Sequence, residues 1–431
     1  MNKNSIKNMQ SDSAVQLSLF SDDEMGGFSI EEVLEAYHRC LKGKAGTYEA
    51  MEFSMNYMSN CVGLCRDLNS RSYKPSRYIV FISFVPVLRE IFGSAFRDRV
   101  TDTLISEKMI PQLDSQFVDD NYSTRRNKGS LYGVFRVAEM IRRCSRDYRR
   151  DCFLLKIDIQ SFFMTLNKEI TMQLWTDLVN SGYKGADREL ILYTLRQIIF
   201  DRPENNCVRK GHLSDWNGLP RSKSLFNSDG TCGFPIGKVI SQESALLNLN
   251  RLDHILMEVF CIENGHYMDD RVMVEVSEQK LMRAKRFIDR WHQKNKLHTH
   301  PKKVYLQHFS KGVLFGGAMI MPGRIYLSNR TVGNCFHRLE IFNVNAVRQK
   351  NYVYTHVEEF ATTMNSYFGL LGHFSEWNTT HRIIRSIGRE WFRVMYIVGR
   401  GGKYKIRVKY DYRVRVKARR RQRQRMKELL E

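Results

Sequence analysis

Two adjacent acids, Asp269 and Asp270, interrupt a run of strand-like residues, Gly265-His266-Tyr267-Met268-Asp269-Asp270-Arg271-Val272-Met273-Val274. Apolar and aromatic residues on both sides of a short polar step predict a β-hairpin with the acids at its turn. Neighbouring carboxylates repel each other, and a bound divalent cation removes that repulsion. A solvated acidic turn is the simpler alternative. A third acid, Asp158, ends the mostly apolar run Cys152-Phe153-Leu154-Leu155-Lys156-Ile157-Asp158. That run reads as a buried strand delivering its carboxylate to the edge of a sheet. Lys156 shares a strand face with Asp158, so a structural Asp158–Lys156 pair competes with a catalytic role.

Between these acids lies Gly233-Phe234-Pro235-Ile236-Gly237-Lys238-Val239-Ile240-Ser241-Gln242. Its Gly and Pro residues impose a fixed loop, after which a helix is predicted to about Met257. Strand with Asp, Gly-Pro-Gly loop and helix, then Asp-Asp hairpin: this order resembles the palm of reverse transcriptases. The resemblance implies an α+β right-hand polymerase with fingers, a palm of antiparallel sheet backed by helices, and a helical thumb. It also implies two-metal phosphoryl transfer. On that basis Asp158, Asp269 and, as a third candidate, Asp270 hold two Mg²⁺ ions, with Mn²⁺ as the alternative. Ile159 then lies at both the metals and the nucleotide. Phe163, five residues past Asp158, packs against the sugar of the incoming deoxynucleotide and excludes a 2′-hydroxyl; a plain core aromatic is the alternative. Arg89, in Pro86-Val87-Leu88-Arg89-Glu90-Ile91, contacts the triphosphate, for which a guanidinium fork is suited. Without the resemblance it reads as a surface arginine, and Val87 stands where the family often has lysine. Lys303 matches the family's lysine beside the leaving pyrophosphate, with Lys302 as its competitor.

Further stretches resemble one subfamily, the reverse transcriptases of diversity-generating retroelements. Ile236 occupies the loop position where other reverse transcriptases usually carry glutamine, and Ser241-Gln242 follow it, with Gln242 expected at the nucleotide. Isoleucine offers only shape where glutamine offers hydrogen bonds, which makes Ile236 the candidate selectivity residue, unless it merely packs the loop. In Asn121-Tyr122-Ser123-Thr124-Arg125-Arg126-Asn127-Lys128-Gly129, the cations Arg125, Arg126 and Lys128 are expected to hold template RNA phosphates, a solvated charge run being the alternative. Met364-Asn365-Ser366-Tyr367-Phe368-Gly369 fits the same subfamily. So does Lys311-Gly312-Val313-Leu314-Phe315-Gly316-Gly317, a primer-grip-like hairpin with one extra glycine. The resemblance implies cDNA synthesis from a template RNA, with errors opposite template adenine (mutagenic retrohoming). Its partners would be template RNA, primer and cDNA, dNTPs and an accessory variability protein. A group II intron maturase-like splicing factor and a defence-associated reverse transcriptase are the alternatives.

These residues need elements to hold them. The chain has 431 residues, 42% of them hydrophobic, enough to bury the cores of two or three domains. The organisation expected is an N-terminal arm over 1–28, fingers over 29–150, palm over 151–320, thumb over 321–398 and a basic tail over 399–431. Ser29 and Glu32 form a capping box for a helix through about Leu41, and a single helix is predicted over 48–68. Another is predicted over 278–294. The polar stretch 202–231 reads as an inserted loop of unknown role; Cys207 and His212 within it make no metal set. His298 and His300 read as surface histidines, and Cys61 and Cys65 as two thiols on one helix face. Nine scattered cysteines without a Cys-x-x-Cys pair, and a polar start without a secretory pattern, lead us to expect a reducing, cytoplasmic setting. The longest nearly apolar run, 78–88, is too short to span a bilayer. The net charge of +22 favours nucleic acid as partner over an anionic membrane. Over 400–427, fourteen Lys or Arg face one acid, with Tyr404, Tyr410 and Tyr412 interleaved, a composition suited to RNA.

Overall fold

The computed structural model of the chain describes residues 26–84 and 87–409. The rest of the expected N-terminal arm and of the basic tail lies outside the described residues. The fold is mixed α/β with antiparallel sheets, in two compact units: 26–133 with 153–306, and 134–152 with 307–409.

In the first unit, Ser29 and Glu32 form the expected capping box of α1 (Ile30–Leu41). Phe28 is already buried, and its amide donates to Asn69 Oδ1 at 2.9 Å, so folded structure begins inside the arm's expected bounds. The single helix expected over 48–68 is two helices, α2 (Tyr48–Met55) and α3 (Tyr57–Asn69). Asn56 separates them with φ −127° and ψ 41°, outside helical space, where its short amide side chain is tolerated. β1 (Tyr78–Ser83) and β2 (Arg89–Gly93) pair antiparallel, and α4 (Phe96–Gln116) follows. α5 (Ser130–Cys144) belongs to the second unit from residue 134 on. β3 (Phe153–Asp158) is followed by the short α6 (Phe162–Thr165), α7 (Lys168–Gly182) and α8 (Arg188–Ile199). α9 (Val239–His254), extended by a π turn over Ile255–Val259, completes the main helical core. In that core Trp175 of α7 is fully buried, and its indole N–H donates to Ser244 Oγ at 2.8 Å. Burying such a side chain with its one polar atom satisfied contributes about 2–3 kcal/mol.

The stretch 202–231 is more than a loop. β4 (Cys207–Arg209) adds to β1 as a parallel edge strand, and Leu225 is buried with Tyr78, Val80 and Phe92. Charge content hid this: a three-residue edge strand lacks the length and alternation that identify a strand in sequence.

The sheet that carries the acids has the strand order β5-β6-β3-β7, with β5 (Glu263–Tyr267), β6 (Asp270–Glu275) and β7 (Tyr305–His308). β5 and β3 both pair antiparallel with β6. Leu155, Ile157 and Met273 face Leu252 of α9 and Leu281 and Ile288 of α10 (Glu278–Lys294), so helices back one face. The opposite face of β3 carries Lys156 and Asp158, as period-two alternation requires. β3 lies between β6 and β7, so Asp158 sits at the end of an inner strand and not on a lateral edge.

The second unit holds the antiparallel meander β8 (Val313–Phe315), β9 (Ala318–Met321) and β10 (Arg324–Leu327). Helices α11 (Asn329–Arg348), α12 (Tyr352–Leu371) and α13 (Trp377–Arg385) follow. Phe360 and Trp391 stack at 4.0 Å in their core. β11 (Met395–Arg400) and β12 (Lys403–Val408) form a hairpin, so the first part of the expected basic tail is folded strand. Asn365 clamps it: its Oδ1 accepts from the Ile406 amide at 2.6 Å, and its Nδ2 donates to the Ile406 carbonyl at 3.0 Å. No helix among the described residues is long and apolar enough to cross a membrane.

Candidate active site

The β5–β6 connection is a two-residue turn, because Tyr267 and Asp270 are cross-strand partners with only Met268 and Asp269 between them. Met268 adopts φ +55°, unusual for a residue with a side chain. Two bonds hold it there. Ser123 Oγ accepts from the Met268 amide at 2.7 Å, and His266 Nδ1 lies 3.0 Å from the Met268 carbonyl. The other ring nitrogen, Nε2, lies 2.9 Å from Asp253 Oδ2, and Arg271 approaches Asp253 Oδ1 at 2.6 Å. His266 and Asp253 are fully buried. Burial alone raises the Asp253 pKa, but His266 and Arg271 outweigh it and hold the carboxyl below its ordinary range. Gly265 completes the support, since a Cβ there would lie 2.3 Å from the Tyr122 hydroxyl.

Register then sets the acids. Asp158 is the direct cross-strand partner of Asp270, and Asp269 occupies the adjoining turn. Like charges directly opposite destabilise an antiparallel pair by roughly 0.2–1 kcal/mol. Two lysines offset part of this. Lys303 Nζ is 2.8 Å from Asp158 Oδ2, and Lys156 Nζ is 3.0 Å from Asp270 Oδ1. Lys156 thus pairs with Asp270, and of the competing lysines it is Lys303 that reaches an acid of the site. Asp269 receives no side-chain hydrogen bond from the described residues. Burial, then repulsion from Asp158 and Asp270, pushes its pKa up to about 6. Burial also raises Asp270, against the opposing pull of Lys156.

The donor set suits a hard divalent cation. It consists of carboxylate oxygens, one of which, the buried Asp270 Oδ1, accepts no hydrogen bond although Lys156 is near. Among the described residues, however, no three His, Cys, Asp or Glu side chains are already grouped as a ligand set. Lys303, which occupies one oxygen of Asp158, has its side chain 55% exposed.

A cavity of about 510 Å³ opens over the acids, within the range of small-ligand sites. Of the residues expected at the site, Asp158, Ile159, Phe163, Ile236, Asp269, Asp270, Lys303 and Arg89 all line it. The Ile159–Thr299 bridge and the His300 amide donating to the Asp158 carbonyl at 2.8 Å fix the strand end. Ile236 is set by its carbonyl accepting from the Phe92 amide, and by Gly237 at φ +123°, where a Cβ would press on the Phe92 carbonyl. Gln242 is not at the cavity. It lies one helical turn further on, and its Oε1 accepts from Thr124 Oγ1 at 3.0 Å. Arg125, Arg126 and Lys128 are likewise elsewhere. Arg125 bonds Asp114 at 2.8 Å and the Val118 carbonyl, Lys128 pairs with Asp119, and Arg126 has its side chain 70% exposed.

Sequence reasoning missed His266, Asp253, Arg271 and Ser123, which support the turn, and Ser222 and Lys223, which line the cavity. His266 and Arg271 flank the acid motif directly, and their position was the available signal. No signal in the sequence pointed to Lys223.

No family model matches the chain, and no curated protein does. Among solved structures it is similar to telomerase from Candida albicans, in complex with a fragment of telomeric RNA, at TM-score 0.42 and 8% identity. That match covers 72% of this chain and 55% of the other. Telomerase from Candida tropicalis, without its C-terminal domain, matches at TM-score 0.40 and 12% identity, covering 58% of this chain and 55% of the other. The chain therefore spans about half the length of the structures it matches, and likeness at this level settles neither family nor activity.

Proposed function

We propose that the protein is an RNA-directed DNA polymerase that extends a primer on an RNA template. One observation carries this reading: the direct register of Asp158 and Asp270, with Asp269 in the turn beside them, in a cavity that Arg89 and Phe163 also line. Asp158, Asp269 and Asp270 would hold Mg²⁺, or Mn²⁺ in its place. When bound, such cations would supply Lewis-acid activation of the primer 3′-hydroxyl and charge neutralisation at the pyrophosphate. The chain's own groups orient the rest. Arg89 grips triphosphate oxygens, and Phe163 sits under the sugar, where its ring leaves no room for a 2′-hydroxyl. Lys303, once released from Asp158, neutralises or protonates the leaving pyrophosphate. Ile159 packs beside the nucleotide at the strand end.

The finer assignment is to a diversity-generating retroelement, with template RNA, dNTPs and an accessory variability protein as partners. Ile236 supports it: an aliphatic side chain beside the nascent base pair discriminates by shape and leaves a mispair free of hydrogen-bond penalties. Arg126 is our candidate template contact, since it is the exposed cation of its loop.

Primer extension on a defined RNA template with Mg²⁺, followed by sequencing of the product, tests this. The Asp269→Ala, Asp270→Ala double variant is expected to make no cDNA. Errors concentrated opposite template adenine support the retroelement assignment, whereas accurate cDNA overturns it and leaves the polymerase. Failure of the unmodified protein to extend any primer, also with its own RNA, overturns the polymerase reading.

A further inference from the structure

Three residues of the inserted stretch 202–231, Pro220, Ser222 and Lys223, line the cavity over the acids. The stretch is fastened on two sides. Ser224 is buried and its hydroxyl donates to Glu90 Oε1 at 2.6 Å, beside Arg89 on β2. Ser161 and Ser222 hydroxyls meet at 3.3 Å, next to the turn that follows Asp158. Together with the β4–β1 pairing and the buried Leu225, these bonds fix the segment as a strap from one sheet to the other across the cavity.

The charges then fall in two sets. Asp158, Asp269 and Asp270 line the cavity with Lys303 paired to Asp158, and Arg89 and Lys223 line it together with Glu90, whose carboxylate accepts from Ser224. Neither Arg89 nor Lys223 has an acidic partner among the described residues. A cation that lines a cavity without a counter-ion is placed for an anionic ligand, and a polyphosphate that reached Arg89 and Lys223 from a cation held by the three acids would match both sets.

Resting on the polymerase reading, we infer that the 220–224 segment forms a wall of the nucleotide site and that Lys223 contacts the phosphates of the incoming nucleotide together with Arg89. The insertion thereby becomes a specificity element: its fastening to Glu90 and Ser161 sets how wide the phosphate end of the site opens.

Steady-state primer extension with Lys223→Gln and Lys223→Arg, together with inhibition and thermal protection by inorganic tripolyphosphate, tests this. Lys223 is exposed, so both variants fold. Lys223→Gln is expected to raise KM for the dNTP about tenfold, the effect of losing one charge-assisted contact, with a much smaller change in kcat and none in primer–template affinity. Tripolyphosphate inhibition should weaken by a similar factor. Lys223→Arg should restore most of both, and Lys210→Gln, on the same segment but off the cavity, should leave both unchanged. Extension by Lys223→Gln with the original KM and tripolyphosphate sensitivity overturns the inference and leaves the polymerase standing. If the unmodified protein extends no primer, the protection assay decides: tripolyphosphate raising its Tm but not that of Lys223→Gln retains the phosphate site while the polymerase falls. Equal protection of both overturns the site.

Discussion

Replacing Asp269 by Asn should make the protein more stable while abolishing the proposed primer extension. Asp269 is the acid of the cluster with no side-chain donor, and its pKa rises from the ordinary 3.8 to about 6. At 1.36 kcal/mol per unit, keeping it ionised in the fold costs about 3 kcal/mol, an upper figure because the site opens to solvent. The sign follows from linkage. The unfolded chain loses this proton at lower pH than the folded one, so stability falls as pH rises from about 4 to 6 and levels off above. Asn removes the ionisation but introduces an amide needing partners, so the expected net gain near pH 8 is about 1–3 kcal/mol, or a few degrees in Tm. Near pH 4.5 the gain should vanish. Thermal melts of both proteins across pH, in chelator and again with millimolar Mg²⁺, read this directly. Mg²⁺ should raise the Tm of the unmodified protein and do little for Asp269→Asn. A variant that melts at or below the unmodified protein near pH 8 in chelator refutes the claim that uncompensated charge strains the cluster.

His266 should act through Met268. Gln reproduces the Nε2 bond to Asp253 and Asn the Nδ1 bond to the turn, so His266→Gln should lose at least tenfold in kcat and His266→Asn clearly less, at comparable Tm; equal losses would mean the histidine is only structural. Glu243 is buried, its pKa pushed up to about 8 chiefly by burial, with Ser106 donating to it at 2.5 Å. The folded protein therefore keeps a proton that the unfolded chain has lost above about pH 4.5, and stability declines towards pH 8; Glu243→Gln should flatten that decline in denaturant titrations. Phe163→Val should raise the kcat/KM for ribonucleotides by one to two orders of magnitude relative to deoxynucleotides, measured by single-nucleotide incorporation.

Local rules carried far into this fold because most of its signals are local. Ser29 and Glu32 announce α1, the bounds 278–294 coincide with α10, and alternation places Lys156 and Asp158 on one face. What sequence left hidden is tertiary. The break at Asn56 interrupts an otherwise helical composition, and β4 exists only because β1 offers an edge. β12 alternates as Lys403-Tyr404-Lys405-Ile406-Arg407-Val408, but the surrounding charge masked the pattern. Gln242 follows Ile236 closely in sequence, yet the start of α9 turns it towards Thr124 and away from the cavity. The site's acids were legible as types and spacing; their counter-ions were not, since Lys303 and Asp158 are 145 positions apart.

Such distances also order events in time. Lys156 and Asp270, whose pairing accompanies the register of the acids, are 114 positions apart, and β1 and β4 are separated by a similar span. On a ribosome making roughly 5–20 residues per second, Asp158 emerges many seconds before its partner strand exists. A nascent chain halted before Asp270 therefore holds half a sheet and an unmatched acid, and contacts so distant in sequence form slowly even afterwards. The acid cluster is thus a late product of synthesis: a chain released before residue 270 carries Asp158 without the strand that sets its register.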